Sequence, residues 1–296
     1  MLTSRFKISV FALLAVSALV LSACSSSTVP NAARLAATTS GDQALPKMVP
    51  TDVSADGTLT FGSDGTYPPN EFVGTDGKTM EGMDIDLGNA IAAKLGLTAA
   101  FVNAPFDSII PAIQSGKYEA GISSFTDNKD REKVLDFVTY YSAGSSWAAK
   151  TGSTITPDTA CGKNIAVQKG TVQVDDITAR SKTCTGAGKA AIKINQYQSQ
   201  QDATASVVSG KNDAMLADSP VTGYAVKTSN GQLVVVGTVY DTAPYGIALP
   251  KAKGDFAKAV QAAVNAIIAD GSYKTILDKY GAADGGVTTS LINAAK

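Results

Sequence analysis

Hydrophobic positions along this chain switch repeatedly between a period of two and a period near 3.6. Thr58-Leu59-Thr60-Phe61-Gly62 alternates and predicts a short strand, closed by the turn formers Ser63-Asp64-Gly65-Thr66-Tyr67-Pro68-Pro69. A second turn, Thr75-Asp76-Gly77-Lys78, separates Phe72-Val73 from Met80. Leu87, Ala90, Ile91 and Leu95 share one helical face, with Asp84 as the N-cap and Gly96 as the stop. Residues 98–102 read as a strand, 107–115 as a helix and 120–122 as a strand. The alternation restarts after Tyr141, with strands at 164–167, 192–194 and 214–217 and helices at 174–181 and 200–209. The strand at 214–217 ends at Asp218-Ser219-Pro220. Further strands are expected at 233–236 and 246–249, then helices at 255–269 and 273–280. This order predicts two α/β units of similar size, each a mostly parallel sheet flanked by helices. Ligands in such folds sit beyond the carboxyl ends of the strands. The polar clusters 63–67, 123–131, 168–172 and 217–219 fall at those ends and are read as one site.

The N-terminus follows a different pattern. Arg5 and Lys7 precede a largely apolar stretch of fourteen residues, 8–21, too short to span a bilayer comfortably but the right size for a signal-peptide core. It ends in Leu21-Ser22-Ala23-Cys24, which resembles a lipobox, where the thiol is lipidated and the chain cut just before it. The alternative is an ordinary signal peptide with an incidental cysteine. Residues 1–23 are thus expected to be removed, leaving an extracytoplasmic protein lipid-anchored to the cell membrane through Cys24. Residues 24–56, rich in Ser, Thr, Ala and Pro, read as a flexible spacer; the alternative is an arm packed on the body.

Composition narrows the chemistry. The chain has 296 residues and net charge −1; without the two positive charges of the leader it carries −3, which argues against a nucleic-acid partner. Histidine is absent, so Ser-His-Asp and Cys-His catalysis and histidine metal sites are excluded. No cofactor or metal is implied. With Cys24 used by lipid, Cys161 and Cys184 remain; in an oxidising compartment such a pair forms a disulfide, the alternatives being two free thiols or half a metal site.

Gly82-Met83-Asp84-Ile85-Asp86-Leu87 resembles the signature of the polar amino-acid-binding family of ABC-transporter solute-binding proteins, with Met83 where Phe is common. Tyr67-Pro68-Pro69 with Glu71-Phe72, Phe106 with 109–113, Gly116-Lys117-Tyr118-Glu119, Thr126 to Arg131, Asp136-Phe137, Gln168 with Gly170-Thr171, and Asp213-Ala214 with Asp218 follow in the family's order over nearly all of 57–281. The resemblance implies a two-lobed periplasmic-binding-protein-like fold joined by two hinge crossings, near 141–146 and 240–245. Lobe 1 would comprise 57–143 and 244–296, and lobe 2 144–243. It implies that Arg131, Thr126 and the backbone at Ser124 hold a ligand carboxylate, with Thr171 helping from lobe 2, and that Asp218 holds the ammonium. Tyr67 and Phe106 would sandwich the ligand side chain, Asp64 would meet its tip, favouring a basic or amide group, and Gln168 stands where some relatives carry lysine. The disulfide lies outside the family motif and has no expected part in binding. The implied function is capture of a polar or basic free amino acid by a monomer, for delivery to an ABC permease, with no chemistry on the ligand. Two alternatives are a cyclohexadienyl-dehydratase-like enzyme on the same fold, using Asp64 or Glu71, and a ligand-sensing protein.

Overall fold

The structure is a computed structural model and describes residues 44–251 and 253–296. The expected signal peptide, the expected lipidation site Cys24 and the first part of the expected spacer lie outside the described residues. The first described elements are a 3-10 turn at Leu45–Met48 and a single helical turn, α1 (Thr51–Ser54). Leu45, Val49 and Val53 are buried in the main core. The spacer expected to reach residue 56 therefore packs on the body from Leu45 onward, because these three apolar side chains find a core surface to cover.

β1 (Thr58–Ser63) is followed by a small antiparallel sheet of β2 (Thr66–Tyr67), β3 (Glu71–Val73) and β4 (Met80–Glu81), formed where the sequence shows two turns. α2 (Met83–Lys94), β5 (Thr98–Asn103), α3 (Phe106–Gln114) and β6 (Ala120–Gly121) then appear close to their expected places. The N-cap of α2 is Gly82, not Asp84. Gly82 sits at φ +129°, and a Cβ there would lie 2.2 Å from the Asn70 carbonyl oxygen, so only glycine can open this helix. Asp84 is free for another task, described below.

A short helix α4 (Lys129–Glu132) leads into β7 (Leu135–Lys150), a 16-residue strand. The second α/β unit comprises β8 (Asn164–Gln168), α5 (Val172–Gly186), β9 (Lys193–Tyr197), α6 (Gln200–Val208), β10 (Ala214–Asp218) and α7 (Ser219–Thr228). α7 occupies sequence for which no element is expected, with Pro220 in its first turn, where a missing N–H costs nothing. The strands expected at 233–236 and 246–249 are one 18-residue strand, β11 (Leu233–Pro250), and the chain closes with α8 (Phe256–Ala269) and α9 (Ser272–Tyr280).

Eight strands form one sheet in the order β5-β1-β6-β11-β7-β10-β8-β9. β5, β1 and β6 are mutually parallel at one flank, and β10, β8 and β9 at the other. The two long strands run antiparallel between the flanks, with register shifts between Val236 and Tyr240, Tyr240 and Ala243, and Tyr245 and Gly246. In the first flank α2, α8 and α9 bury Leu87, Ile91, Val260, Val264 and Leu277 against one face of the sheet, while α3 buries Ile109 and Ile113 in a separate cluster. In the second flank α5 packs with Trp147, Ile165 and Leu216. Cys161 and Cys184 form a disulfide across a separation of 23 residues, tying the segment before β8 to the last turn of α5. Closing such a loop stabilises by about 3 kcal/mol in the chain-entropy account. Among the described residues no helix is long and apolar enough to cross a membrane.

Candidate functional site

The carboxyl ends of the parallel strands converge on one narrow cavity. Tyr67, Phe106, Ser124, Thr126, Arg131, Thr171 and Asp218 line it, so seven of the nine ligand residues read from the sequence come together. Val172 and Gln173, which sequence reasoning missed, complete the lining from the first turn of α5. The only sequence signal for Gln173 is its place three residues after Gly170, at the start of a helix.

Arg131 is set by its own short helix, whose N-cap Asn128 accepts a hydrogen bond from the Arg131 N–H at 2.8 Å. Its guanidinium donates through Nη1 to the Thr126 carbonyl (2.9 Å) and through Nη2 to the Gly170 carbonyl on the second flank (3.1 Å). It lies 5.5 Å from the Phe106 ring centre and 5.6 Å from that of Phe125, a cation–π arrangement that keeps the fork in place. Burial lowers its pKa and the Asp218 carboxylate opposes that shift, without threatening its charge.

Asp218 closes β10 at the N-cap position of α7, yet its side chain caps no helical N–H. Its carboxylate faces the site instead, with Oδ2 accepting from the Tyr245 hydroxyl and Oδ1 from Gln173 Nε2, both at 2.7 Å. Burial pushes its pKa up to about 6, against those two donors and the Arg131 charge. Neither donor is a cation, so among the described residues this buried acid has no ammonium-type partner at bonding distance.

The aromatic wall is continuous. Tyr67 and Phe106 have ring centres 5.9 Å apart, and Phe106 stacks on Phe125 at 4.7 Å. Phe106 opens α3, and its backbone N–H donates to Asp64 Oδ2 (2.9 Å).

Asp64 and Gln168 are not among the cavity-lining residues. Gln168 Nε2 donates to Asp64 Oδ2 at 2.9 Å and to the Gln198 carbonyl at 2.9 Å. Asp64 Oδ1 accepts from the Thr66 hydroxyl at 2.7 Å. Asp64 thus meets three donors, while burial still raises its pKa. Gln168 Oε1 is buried without a partner. Close by, Lys169 and Gln198 bond Asp107 at 2.8 and 2.7 Å, and Gly170 at φ +82° passes so near Asp107 that a Cβ would come within 2.9 Å of its Cβ. Glycine allows the two flanks to meet here.

Ser124 lines the cavity but does not offer the amide expected of it. At φ +52° its N–H donates to Asp84 Oδ2 (2.8 Å) and its hydroxyl to Glu71 Oε2 (3.1 Å). These buried acids, also held by Tyr140 (2.6 Å, to Asp84) and Ser123 (2.9 Å, to Glu71), form a base beneath the site. Burial raises both pKa values, that of Asp84 to about 6 and that of Glu71 well above the carboxylate range, where the neighbouring Asp84 adds to the shift. The two acids therefore titrate as a pair. Asp84 serves as this anchor instead of capping α2. Glu71 and Asp84 were legible as acids in the motif, but not as partners 13 positions apart in the chain.

The chain matches the family of bacterial extracellular solute-binding proteins, family 3, over residues 59–283. It is 37% identical over 249 residues to the arginine-binding protein ArgT of Corynebacterium glutamicum, covering 83% of this chain and 81% of that one. It is 32% identical over 237 residues to the L-arginine-binding protein of Pseudomonas aeruginosa, covering 77% and 89%. Among solved structures it is similar to an ancestral arginine-binding protein bound to arginine, with 34% identity, a TM-score of 0.70, and coverage of 76% of this chain and 98% of that one. These relatives are named as binding proteins, in keeping with solute binding and not with catalysis. With the match spanning both flanks of the sheet and the cavity between them, the chain belongs to the family 3 bacterial extracellular solute-binding proteins.

Proposed function

We propose that this protein captures a free basic amino acid, with L-arginine the foremost candidate, between lobe 1 (57–143 and 244–296) and lobe 2 (144–243). The observation that carries the reading is that Arg131 and Asp218, from opposite flanks of the sheet, line one buried cavity. An α-amino acid is a zwitterion, and it needs a guanidinium fork for its carboxylate and a buried carboxylate for its ammonium. The N-terminal turn of α5, which supplies Thr171, Val172 and Gln173, favours the carboxylate further through its dipole. Asp64 lies outside the cavity lining and already meets three donors; with about four acceptor sites on a carboxylate, a guanidinium or amide tip reaching past the cavity would find one site there. The arginine-binding names of the two relatives point to the same tip.

In this reading the ligand bridges the two lobes and favours the closed state because it meets Arg131 and Asp218 together only there. The closed protein then delivers its cargo to an ABC permease, while a lipid on Cys24 keeps it at the outer face of the membrane. Replacing Cys24 by serine should release the protein from membranes and abolish fatty-acid labelling.

The test of the ligand is thermal unfolding of the protein scanned against the twenty amino acids and ornithine. A ligand specific for the folded state stabilises by about 2.7 kcal/mol at a hundredfold excess over Kd. A shift with arginine or another basic amino acid that disappears in Arg131→Ala is the expected result. No shift with any of the set overturns the amino-acid assignment.

A further inference from the structure

The family match ends at residue 283, and the segment beyond it runs back along the sheet to the turn that carries Arg131. Its course is set by hydrogen bonds. The first half of β7 pairs with β11 on one side, while β10 reaches only the second half, at Ser145 to Ala149. The other side of the first half would be an open edge. The C-terminal segment covers it, with antiparallel bridges from Gly286 to Tyr141 and from Ile292 to Val138. The Thr139 N–H donates to the Leu291 carbonyl at 2.9 Å, and the Ser290 hydroxyl to the Thr139 carbonyl at 2.7 Å. Asn293 brackets Phe137, its N–H donating to the Phe137 carbonyl and its Oδ1 accepting from the Phe137 N–H, each at 2.9 Å.

The last two contacts leave the sheet and reach the site. Asp127 Oδ2 accepts from the Ala294 N–H at 2.7 Å, and Glu132 Oε1 from the Ala295 N–H at 2.9 Å. Asp127 precedes α4 and Glu132 is its last residue, within the stretch 126–132. Within this seven-residue stretch Thr126 and Arg131 face the cavity, while Asp127 and Glu132 hold the tail. The same turn is otherwise fastened by the Asn128 cap and by the Asp127 N–H to the Pro244 carbonyl at 2.8 Å. Lys129 bonds the second oxygen of Glu132 at 3.1 Å, and Asp136, which also holds Asn293, is neutralised by Lys251 at 2.9 Å.

We infer that residues 286–295 are a positioning strap for ligand binding, in which Asp127 and Glu132 clamp the consecutive backbone N–H groups of Ala294 and Ala295 and thereby hold Arg131 in its carboxylate-binding position. This rests on the proposed binding of an amino acid, and it assigns Asp127 and Glu132 as positioning residues that do not touch the ligand. The strap acts by preorganisation: a turn already fixed by its outer face loses less freedom when Arg131 takes the ligand.

The test uses the full chain, a chain ending after Asn293, Asp127→Ala and Asp127→Asn. Two readouts are compared, amide hydrogen exchange of residues 126–132 without ligand and calorimetric titration with L-arginine. The shortened chain and Asp127→Ala should both exchange faster at the Arg131 and Glu132 amides and bind arginine more weakly by about tenfold, within the usual range of coupling between distinct sites. Asp127→Asn keeps a carbonyl acceptor for the Ala294 N–H and should match the intact chain in both. Unchanged exchange over 126–132 in the shortened chain overturns the strap, whatever the ligand. If the intact chain binds no amino acid, calorimetry fails for every variant alike and counts against the proposed function, while exchange alone decides the strap.

Discussion

Asp64 and Asp218 invite comparison, because one follows β1 and the other ends β10, each is buried, and burial raises the pKa of each. Their surroundings differ. Asp64 is met by a backbone N–H, a hydroxyl and an amide, the last from the opposite flank. Asp218 is met by two side-chain donors and faces the cavity. The first acid is mostly committed to the protein and the second is held ready for something else. The lesson is that a buried carboxylate at a strand end is not by itself a ligand contact; what separates the two is how much of its bonding capacity the fold has already used.

The difference predicts a ranking. Asp218→Asn should have the largest effect, removing the acid that lines the cavity and would hold the ligand ammonium, at a cost of about 3 kcal/mol, above a hundredfold in Kd. Calorimetry on Asp218→Asn and Asp64→Asn side by side would break the comparison if the two losses were equal. Acid comes next. The Asp218 pKa of about 6 exceeds its ordinary 3.8. The folded, ligand-free protein therefore holds this proton more tightly than the unfolded chain does. That contribution is complete below the unfolded value and is lost as pH rises through about 6. An ammonium ligand requires the ionised form, so affinity should fall by about tenfold between pH 7 and pH 5. Titrations at the two pH values check this, and a flat profile would place the ammonium elsewhere. Asp64→Asn should cost less, about 1 kcal/mol or fivefold in Kd, and should narrow the preference for arginine over glutamine. Tyr245→Phe should be mildest, about threefold, because an incoming ammonium can replace the lost donor.

Much of this was readable in advance. The strands and helices with clean alternation or helical spacing fall within a few residues of expectation, and Tyr67, Phe106, Thr126, Arg131, Thr171 and Asp218 share a cavity as their motifs implied. The failures have physical causes. β7 passes through Ser142-Ala143-Gly144-Ser145-Ser146, which has no apolar alternation, because much of that strand is buried between two neighbours and needs small residues more than a polar face. Asp84 carries the mark of an N-cap, but its partners Tyr140 and Ser124 come from distant segments that local periodicity cannot connect. Gln173 looks like any surface glutamine until Asp218 is placed beside it. The segment 286–295 has neither period, since it owes its course to an open strand edge.

The ladder between β7 and β11 also has a temporal meaning. Ala143 pairs with Ala243, so the two central strands meet only after about 100 residues of chain have been made between them. Closing so long a loop from an unfolded chain costs on the order of 4 kcal/mol in entropy. That cost shrinks if the intervening strands and helices assemble first and bring residues 145 and 240 together, as their pairing requires. A chain delivered from its N-terminus therefore leaves β7 with no partner on that side until Leu233, which pairs with Lys150, has followed. Seating β11 against β7 thus completes the span between the two halves of the site.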